Sequence, residues 1–219
     1  MTLVSVAPSK RREARASTRA RLLTVARDAF ARKGLAGVSL VEDVLRTAGV
    51  SVGSFYHQFR DKTDLFLAVL EEHTTAFRAM IREAHNPRGG RAPLDLARHS
   101  YATVFRIAEQ NPDLFHIFVR ERESDDPRVR KYLRDTHRGW IASLAEDYQR
   151  IGAVTRQDQA ELAAELISAL TVGTVLRYLE LPAAERRRQR DRFIEGLVHF
   201  TTGGAPALMA AGQTRKRRA

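Results

Sequence analysis

Apolar residues recur along most of the chain at intervals of three and four positions, which is the spacing of one face of an α-helix. The pattern predicts about nine helices and no strands, so the expected fold class is all-α. Helix 1 is predicted from Thr18 to Lys33, with Gly34 as its C-terminal stop. Residues 86–93 are rich in proline and glycine and form the clearest break in the pattern.

Helices 2 and 3 are short and are joined by a tight turn within residues 39–62. The apolar face of helix 2 consists of Leu40, Val44 and Leu45. Gly49 suits a turn that requires a positive φ. Ser39 is predicted to cap helix 2 in a capping box with Glu42, and Ser51 is predicted to cap helix 3.

Helix 3 has two different sides. Val50, Phe55 and Phe59 are spaced to pack inward. The residues predicted to remain outside are Ser51, Val52, Ser54, Tyr56 and His57. Two helices that cross at a short turn containing glycine form a helix-turn-helix, whose second helix enters the major groove of DNA. The pattern therefore predicts a DNA-binding unit.

Basic charge is concentrated at the two ends of the 219-residue chain. The net charge is +11, of which residues 1–62 carry +7 and residues 215–218 carry +4, so the residues between them sum to zero. A basic end on a neutral body indicates a polyanionic partner, although basic ends can also serve solubility alone. Residues 1–17 have little apolar content and predict a disordered basic arm, either a linker or an arm that enters the minor groove.

Three sequence patterns in the N-terminal region resemble the TetR family of transcriptional regulators. They are AxxxFxxKG at residues 26–34, AGVS at residues 48–51 and GSFYHQFRDKTDLF at residues 53–66. Leu45 stands where the family usually has alanine, and Val52 stands where a basic or polar residue is common. The resemblance implies a homodimer that binds a palindromic DNA operator, with simple repression as the usual mode of control.

Direct readout requires side chains that reach base edges from the outer side of helix 3. Val52 and Ser54 are the candidates, and Val52 offers an apolar contact to a thymine methyl group. The resemblance implies that Tyr56 and His57 contact backbone phosphates and sometimes bases. The complete set of predicted DNA-binding residues, which includes two at helix starts where phosphate binding is favoured, is Ser39, Ser51, Val52, Gly53, Ser54, Tyr56, His57 and Lys62.

Helix 8, predicted from about Arg156 to Leu181, is apolar around much of its circumference, so it must be covered on more than one side. With helix 9, predicted from Ala184 to Thr202, it is expected to form half of a four-helix dimer interface. The resemblance to TetR regulators implies the same pairing. The predicted interface residues are Leu166, Leu170, Gly173, Leu176, Phe193 and Leu197.

A small hydrophobic effector is expected among helices 5 to 8, where apolar side chains supply the walls. The candidates are Tyr101, Phe105, Phe115, Phe118, Trp140 and Leu144, with ordinary core packing as the alternative for each. The FVRERxxxxPxVR pattern at residues 118–130 is similar to a TetR subgroup that controls fatty-acid desaturation and unsaturated lipid synthesis. That resemblance implies an acyl-CoA effector, with Arg120 or Arg122 meeting CoA phosphates or else pairing with nearby acids.

Several function classes lack support in the sequence. The chain has no cysteine and no HExxH, GxSxG, P-loop or GxGxxG motif, so we expect no enzyme, no metal site and no cofactor. It has no signal-like start and no apolar run near the about 20 residues that span a bilayer, so a cytoplasmic location without membrane insertion is expected. The alternative function is a helical adaptor that binds anionic membrane or RNA through its basic ends.

Four segments are predicted along the chain. The basic arm covers residues 1–17, the DNA-binding domain residues 18–64, the ligand-binding and dimerisation domain residues 65–204, and a disordered basic tail residues 205–219. Helix 4, predicted from Asp61 or Lys62 to about residue 85, belongs to both domains. It is therefore expected to transmit changes in the spacing of the two DNA-binding domains.

Overall fold

The computed structural model describes residues 10–84, 93–150 and 153–216. All regular structure within these ranges is helical, which confirms the predicted fold class. The helices are α1 (Lys10–Gly37), α2 (π-helical residues Leu40–Leu45 followed by α-helical residues Arg46–Ala48), α3 (Val52–Tyr56), α4 (Lys62–Ala84), α5 (Pro93–Gln110), α6 (Pro112–Glu121), α7 (Pro127–Arg150), α8 (Gln157–Leu179) and α9 (Ala183–Lys216).

Both ends of the chain contain more helix than the sequence pattern predicts. α1 begins at Lys10, so the second half of the predicted disordered arm is helical. This stretch, KRREARAS, consists mainly of strong helix formers, and that preference explains the extension without a buried face. α9 continues to Lys216, through most of the predicted disordered tail, with a break at Gly204, where φ is 71°. Residues 1–9 and 217–219 of the predicted arm and tail lie outside the described residues.

The chain divides into two compact units. The first unit comprises Met1–His73 and Ile117–Tyr132, and the second comprises Thr74–His116 and Leu133–Ala219. The first unit therefore combines the predicted DNA-binding domain with a later segment of the chain. Sequence reasoning had no local pattern that joins these two segments.

The core of the first unit is formed by the apolar faces of its short and long helices. Phe30 and Phe66 meet edge to face with their ring centroids 4.9 Å apart, and both side chains are fully buried. Burial of one such side chain contributes about 1.5–3 kcal/mol. The other main core residues are Leu22, Ala26, Val44, Leu45, Phe55, Leu65, Val69 and Leu70. At Gly34 the backbone leaves the helical conformation (φ 71°, ψ 173°), so the predicted end of helix 1 is confirmed as a break inside α1.

The core of the second unit lies where α5, α8 and α9 pack together. Phe105 and Tyr178 are fully buried and meet edge to face with centroids 4.9 Å apart. The Tyr101 hydroxyl donates to Thr201 Oγ1 over 3.0 Å, so a polar contact ties α5 to α9 inside this core.

α6 uses a different face from the one that the sequence pattern indicates. The pattern places Leu114, Phe115, Phe118 and Val119 on one side of the helix. In the structure Ile117 is the fully buried residue, and Val119 is 47% exposed. A ten-residue helix with apolar residues at most positions fits two faces equally well, so periodicity alone does not select between them.

Candidate nucleic-acid interface

The turn between α2 and α3 forms as the sequence predicts. Gly49 adopts the left-handed conformation (φ 61°, ψ 41°), which costs a residue with a Cβ about 1–2 kcal/mol. The Val50 N–H donates to the Leu45 carbonyl oxygen over 3.0 Å and closes the turn. Ser51 Oγ accepts the N–H of Ser54 at 3.2 Å, which confirms Ser51 as the cap of α3.

α3 separates a buried side from an exposed side, as predicted. Phe55 is fully buried, and its ring lies 5.7 Å from that of Phe59. On the other side Val52 is 49% exposed and Tyr56 is 59% exposed. Large apolar and aromatic side chains at this exposure are suited to contact a partner surface.

The hydroxyl groups at the start of α3 form a short relay. Ser51 Oγ donates to Ser54 Oγ over 2.9 Å while it accepts the Ser54 N–H. The Ser54 hydroxyl therefore accepts one hydrogen bond inside the protein, and its own hydrogen remains to be donated. This arrangement favours Ser54 as a donor to an acceptor on a base edge or a phosphate.

Gly53 and His57 flank the exposed residues of α3. A Cβ added to Gly53 would meet nothing within 4 Å, so this part of the helix is open to the approach of a partner. His57 is the C-terminal cap residue of α3, and its side chain is exposed. The predicted outer residues of α3 thus share one continuous face, which we call the reading face: Ser51, Val52, Gly53, Ser54, Tyr56 and His57.

Ser39 serves α2 as the predicted cap, but the reciprocal partner differs. Ser39 Oγ accepts the Glu42 N–H at 3.4 Å, whereas the Ser39 N–H donates to Asp43 Oδ2 at 2.9 Å. The Glu42 carboxylate instead binds Arg46. The wider π-helical turn brings the next residue into the position that glutamate takes in an α-helical capping box. Hydrogen bonds from Lys33 and from the Ser39 backbone hold the pKa of the Asp43 carboxyl below its ordinary value.

Lys62 forms a structural contact within the first unit. Its Nζ donates to the Val38 carbonyl oxygen over 2.8 Å, which links the start of α4 to the segment before α2. An ammonium group has three donors, so this bond leaves two for a phosphate. The predicted phosphate contact of Lys62 stays a prediction, as does that of Ser39, whose side chain is exposed.

Sequence reasoning missed a contact between the first turns of α1 and the end of α3. Arg15 Nη2 donates to the His57 carbonyl oxygen over 2.9 Å, and Gln58 Nε2 donates to the Arg15 carbonyl oxygen over 3.0 Å. One turn later the Arg19 guanidinium carbon lies 4.5 Å from the centroid of the Phe59 ring. The partners are 42 and 43 residues apart along the chain, so no local pattern signals this contact.

The end of α6 caps α1 on both sides of its break, which sequence reasoning also missed. Arg120 Nη2 donates to the Phe30 carbonyl oxygen over 2.6 Å. Glu121 is buried, and its Oε1 accepts the Leu35 N–H over 3.0 Å. A Cβ at Gly34 would lie 3.0 Å from Glu121 Oε1, so glycine is required here by the close approach as well as by φ. A carbonyl in the last turn of one helical segment and the first free amide after the break are thus both satisfied.

The loop after α6 is joined to the start of α4. Arg128 Nη1 donates to Asp61 Oδ2 over 2.9 Å, and Thr63 Oγ1 donates to Asp126 Oδ2 over 2.8 Å. Burial alone would raise the pKa of Asp126, but hydrogen bonds from Thr63 and Arg128 outweigh it, and the pKa lies below its ordinary value. Within the described ranges no three histidine, aspartate or glutamate side chains are arranged as metal ligands.

Two of the six predicted ligand-binding residues line a pocket in the described part of the second unit. Trp140 and Leu144 line an open pocket of about 120 Å³, together with Arg78, Ile81, Gly139, Ser143 and Asp147. Tyr101 and Phe105 are buried in the core of the second unit, Phe115 packs against that core, and Phe118 belongs to the first unit. The pocket is smaller than the about 300–1,000 Å³ that is typical of ligand sites.

The two arginines considered for CoA phosphates have partners inside the first unit. Arg120 caps α1 as described above. Arg122 is exposed, and its Nε lies 3.5 Å from Glu123 Oε1. The alternative in which these arginines bind neighbouring groups of the protein describes Arg120 best, because a guanidinium with a 2.6 Å bond to a carbonyl is already oriented.

α8 is apolar on two opposite sides, as predicted. Its buried residues are Ala160, Ala164, Ser168, Val175, Tyr178 and Leu179. Leu162 and Leu166 are 60% and 62% exposed. At about 100° per residue, Leu162, Leu166, Ala169 and Gly173 follow one line along the helix, opposite the buried residues. This line, the exposed stripe, contains two of the predicted interface residues, while Leu170 and Leu176 are half-buried beside it.

The two predicted interface residues of α9 face the core of their own unit. Leu197 is only 3% exposed and packs in the core of its own unit, and its predicted place in a dimer interface stays a prediction. The Phe193 ring packs against Phe105 and Tyr178. Phe200, which is 42% exposed, is an exposed aromatic residue of α9 that sequence reasoning missed. It lies seven residues, or two helical turns, after Phe193, so it lies on the same side of α9 but is less covered.

α8 also passes a test of length and composition for a membrane span, contrary to the expectation from the sequence. An 18-residue window within Gln157–Leu179 is sufficiently apolar and contains few charges. The core helix of a soluble protein passes the same test, and one face of α8 is buried in the second unit. The two apolar sides account for this composition.

In comparisons with known proteins, the match to a family model lies within the first unit. Residues 22–69 match the sequence model of the family described as bacterial regulatory proteins, tetR family. Among solved structures, Salmonella enterica GusR is 26% identical, with a TM-score of 0.67 over 85% of this chain and 94% of that chain. The transcriptional regulator FadR from Bacillus subtilis, in complex with stearoyl-CoA, is 15% identical, with a TM-score of 0.67 over 84% of this chain and 98% of that chain. A transcriptional regulator from Aquifex aeolicus is 20% identical, with a TM-score of 0.65 over 82% of this chain and 97% of that chain.

Proposed function

We propose that this chain, whose residues 22–69 are a DNA-binding domain of the TetR family within the helical fold of TetR-family regulators, represses transcription as an operator-bound homodimer. The family match at residues 22–69 confirms the resemblance predicted for this segment, and it supports a DNA-binding regulator over an enzyme. The operator is a near-palindrome, because a two-fold dimer presents two copies of α3 about one helical turn of DNA apart. A cytoplasmic location belongs to the same proposal.

The reading face carries this proposal. Its side chains lie on α3, which Ser51 caps and which is held in place by the buried side chains of Phe55 and Phe59. An exposed valine, a hydroxyl donor and an exposed tyrosine on such a rigid support suit contacts to a thymine methyl, a base edge and a phosphate. One α3 spans only a few base pairs, so a second copy is needed for a site of useful length.

The exposed stripe of α8 supports the dimer. Leu162 and Leu166 would be costly to leave in water, and Gly173 on the same line has no atom within 4 Å of a built Cβ. A small residue between large apolar ones allows a partner helix to approach closely. An isologous contact between two such stripes, with Phe200 of α9 beside them, covers these side chains.

A small hydrophobic effector, with an acyl-CoA as the candidate, completes the proposal. The support is the FadR structure with stearoyl-CoA, together with apolar walls at Trp140 and Leu144. A long acyl chain needs more room than about 120 Å³, so binding must open the second unit or select an open state. The effector then shifts the DNA affinity only by its differential affinity for the two states.

The test compares operator binding by variants of Tyr56. Genomic fragments that bind the purified protein supply the operator, and fluorescence anisotropy measures its affinity against a scrambled duplex. Tyr56→Ala is expected to weaken operator binding about tenfold, since a lost hydrogen bond in each half-site costs about 0.5–1.5 kcal/mol. Tyr56→Phe separates the hydroxyl from the ring, and at 59% exposure neither change should unfold the protein.

Equal affinity of the wild-type protein for operator and scrambled duplex would refute the proposal. The alternative, a helical adaptor for anionic membrane or RNA, predicts that outcome, because its basic ends bind any polyanion. Binding to vesicles of anionic lipid and to unrelated RNA, measured in parallel, then shows whether the adaptor binds membrane or RNA.

A further inference from the structure

The first turns of α1 carry a row of arginines on one side of the helix. Arg12, Arg15 and Arg19 follow each other at intervals of three and four residues, so they share a face. Arg12 and Arg15 are exposed, and Arg19 is half-buried against the Phe59 ring. We call these three residues the arginine row.

The arginine row is held against the end of α3 by hydrogen bonds. Arg15 donates to the carbonyl of His57, the residue that ends α3, and Gln58 donates back to the carbonyl of Arg15. Two hydrogen bonds of opposite direction set both the position and the rotation of this part of α1. Arg12, one turn earlier, therefore has a defined place beside the reading face.

The helical form of residues 10–17 decides between the ways in which basic residues meet DNA. An α-helix with its side chains is about 10–12 Å wide, whereas the minor groove of B-DNA is about 6 Å wide. This part of the chain therefore cannot enter the minor groove. A helix on the surface of the duplex instead places arginine side chains against the phosphate backbone.

The chemistry of the row fits phosphate. Each guanidinium has five N–H donors, and Arg15 uses its Nη2 for His57, so further donors remain. Guanidinium groups bind phosphate oxygens in a bidentate, charge-assisted manner. The acid nearby, Glu13, follows Arg12 directly, and adjacent residues on a helix do not face each other.

We propose that the arginine row extends the DNA interface by binding phosphates that flank the bases read by α3, with Arg12 as a contact and Arg15 as a positioning residue that ties α1 to α3. This inference rests on the proposed function. It adds a surface to the reading face and assigns to residues 10–19 a duplex-backbone role in place of a disordered arm.

The first experiment measures how operator affinity depends on salt. Each neutralised phosphate contributes a slope of about −0.9 in log affinity against log salt. The Arg12→Ala dimer loses two such contacts, so the magnitude of its slope should be smaller by about 1.8. When the salt rises from 50 to 200 mM, the factor by which this variant loses affinity should therefore be about twelvefold smaller than the factor for the wild type. Arg138→Ala in α7, an exposed arginine of the second unit, is the charge-matched control and should leave the slope unchanged.

The second experiment tests the anchoring. Gln58→Ala removes a neutral side chain, and it should lower the salt slope in the same direction as Arg12→Ala, because the row loses one of its two bonds to α3. Arg15→Lys keeps a cationic donor that Arg15→Ala lacks, so it should retain more of the slope, while both variants keep the backbone carbonyl that accepts from Gln58. A purely structural role for Gln58 would lower affinity equally at all salt concentrations and leave the slope unchanged.

The outcomes separate the two proposals. A wild-type protein that discriminates the operator from scrambled duplex, with wild-type slopes in Arg12→Ala and Gln58→Ala, overturns the arginine row and leaves the proposed function intact. A wild-type protein without discrimination overturns the proposed function and this inference with it. Reduced slopes in both variants, with discrimination retained, support the row.

Discussion

Gly34→Ala should destabilise the first unit by about 2–4 kcal/mol. The backbone at this residue (φ 71°, ψ 173°) lies in a region that is almost restricted to glycine, and an alanine there costs about 1–3 kcal/mol. The new Cβ would also lie 3.0 Å from Glu121 Oε1 and 3.1 Å from Arg120 Nε. Displacing one of these capping side chains costs about 1 kcal/mol, the net value of a hydrogen bond.

Urea unfolding followed by far-ultraviolet circular dichroism measures this change. Gly37→Ala is the matched control, because Gly37 has no positive φ and a Cβ there would meet Lys33 Cβ at 3.4 Å, an ordinary contact. That variant should be neutral or more stable by about 0.5–1 kcal/mol. In a Glu121→Ala background the cost of Gly34→Ala should fall by about 1 kcal/mol, since one of the crowding atoms is absent. Equal stability of Gly34→Ala and Gly37→Ala would refute this account of the break in α1.

Two further predictions concern the dimer and acid stability. Gly173→Arg should give a folded monomer in sedimentation velocity, because the added side chain meets open space within its own chain but interrupts the exposed stripe. Thr155→Arg, ahead of α8, should leave the dimer intact. A dimeric Gly173→Arg would exclude the stripe as the interface. Because the folded-state pKa of Asp126 lies below the ordinary 3.8, its contribution to stability is present above that value and is lost as the pH falls through the folded pKa. Asp126→Asn should therefore show a shallower loss of unfolding free energy on acidification than the wild type, and identical pH profiles would contradict the assigned role of its bonds to Thr63 and Arg128.

The conformation of α3 and of the turn before it could be predicted from residues close together in the sequence. Gly49, the Ser51 cap and the inward positions of Phe55 and Phe59 all follow from interactions within about ten residues, and each was confirmed. The exposure of Val52 and Tyr56 follows from the same pattern. Short-range rules succeed here because the turn and its caps are formed by residues that are close in the sequence.

Distant contacts account for most of what the sequence did not reveal. Glu121 lies 86 residues from the Leu35 amide that it caps, and the Arg15–His57 contact spans 42 residues. Charged residues at these positions look like ordinary solvated charges in a sequence. Leu197 shows a second reason, because helical spacing groups the apolar residues of α9 on one side but does not state whether that side faces its own core or a partner chain. The π-helical turn of α2 gives a third, since one extra residue per turn moves the capping role from Glu42 to Asp43.

The insertion of residues 117–132 into the first unit limits how this protein can be divided. A fragment that stops at residue 73 would lose the buried side chain of Ile117 and both caps of α1, so it would not contain the complete first unit. Transferring the first unit to another protein requires residues 117–132 to be transferred as well, or new side chains to fill the space that they occupy. Because residues 74–116 of the second unit lie between the two pieces of the first unit in the sequence, and residue 132 lies inside α7 (Pro127–Arg150), no single junction transfers the first unit alone.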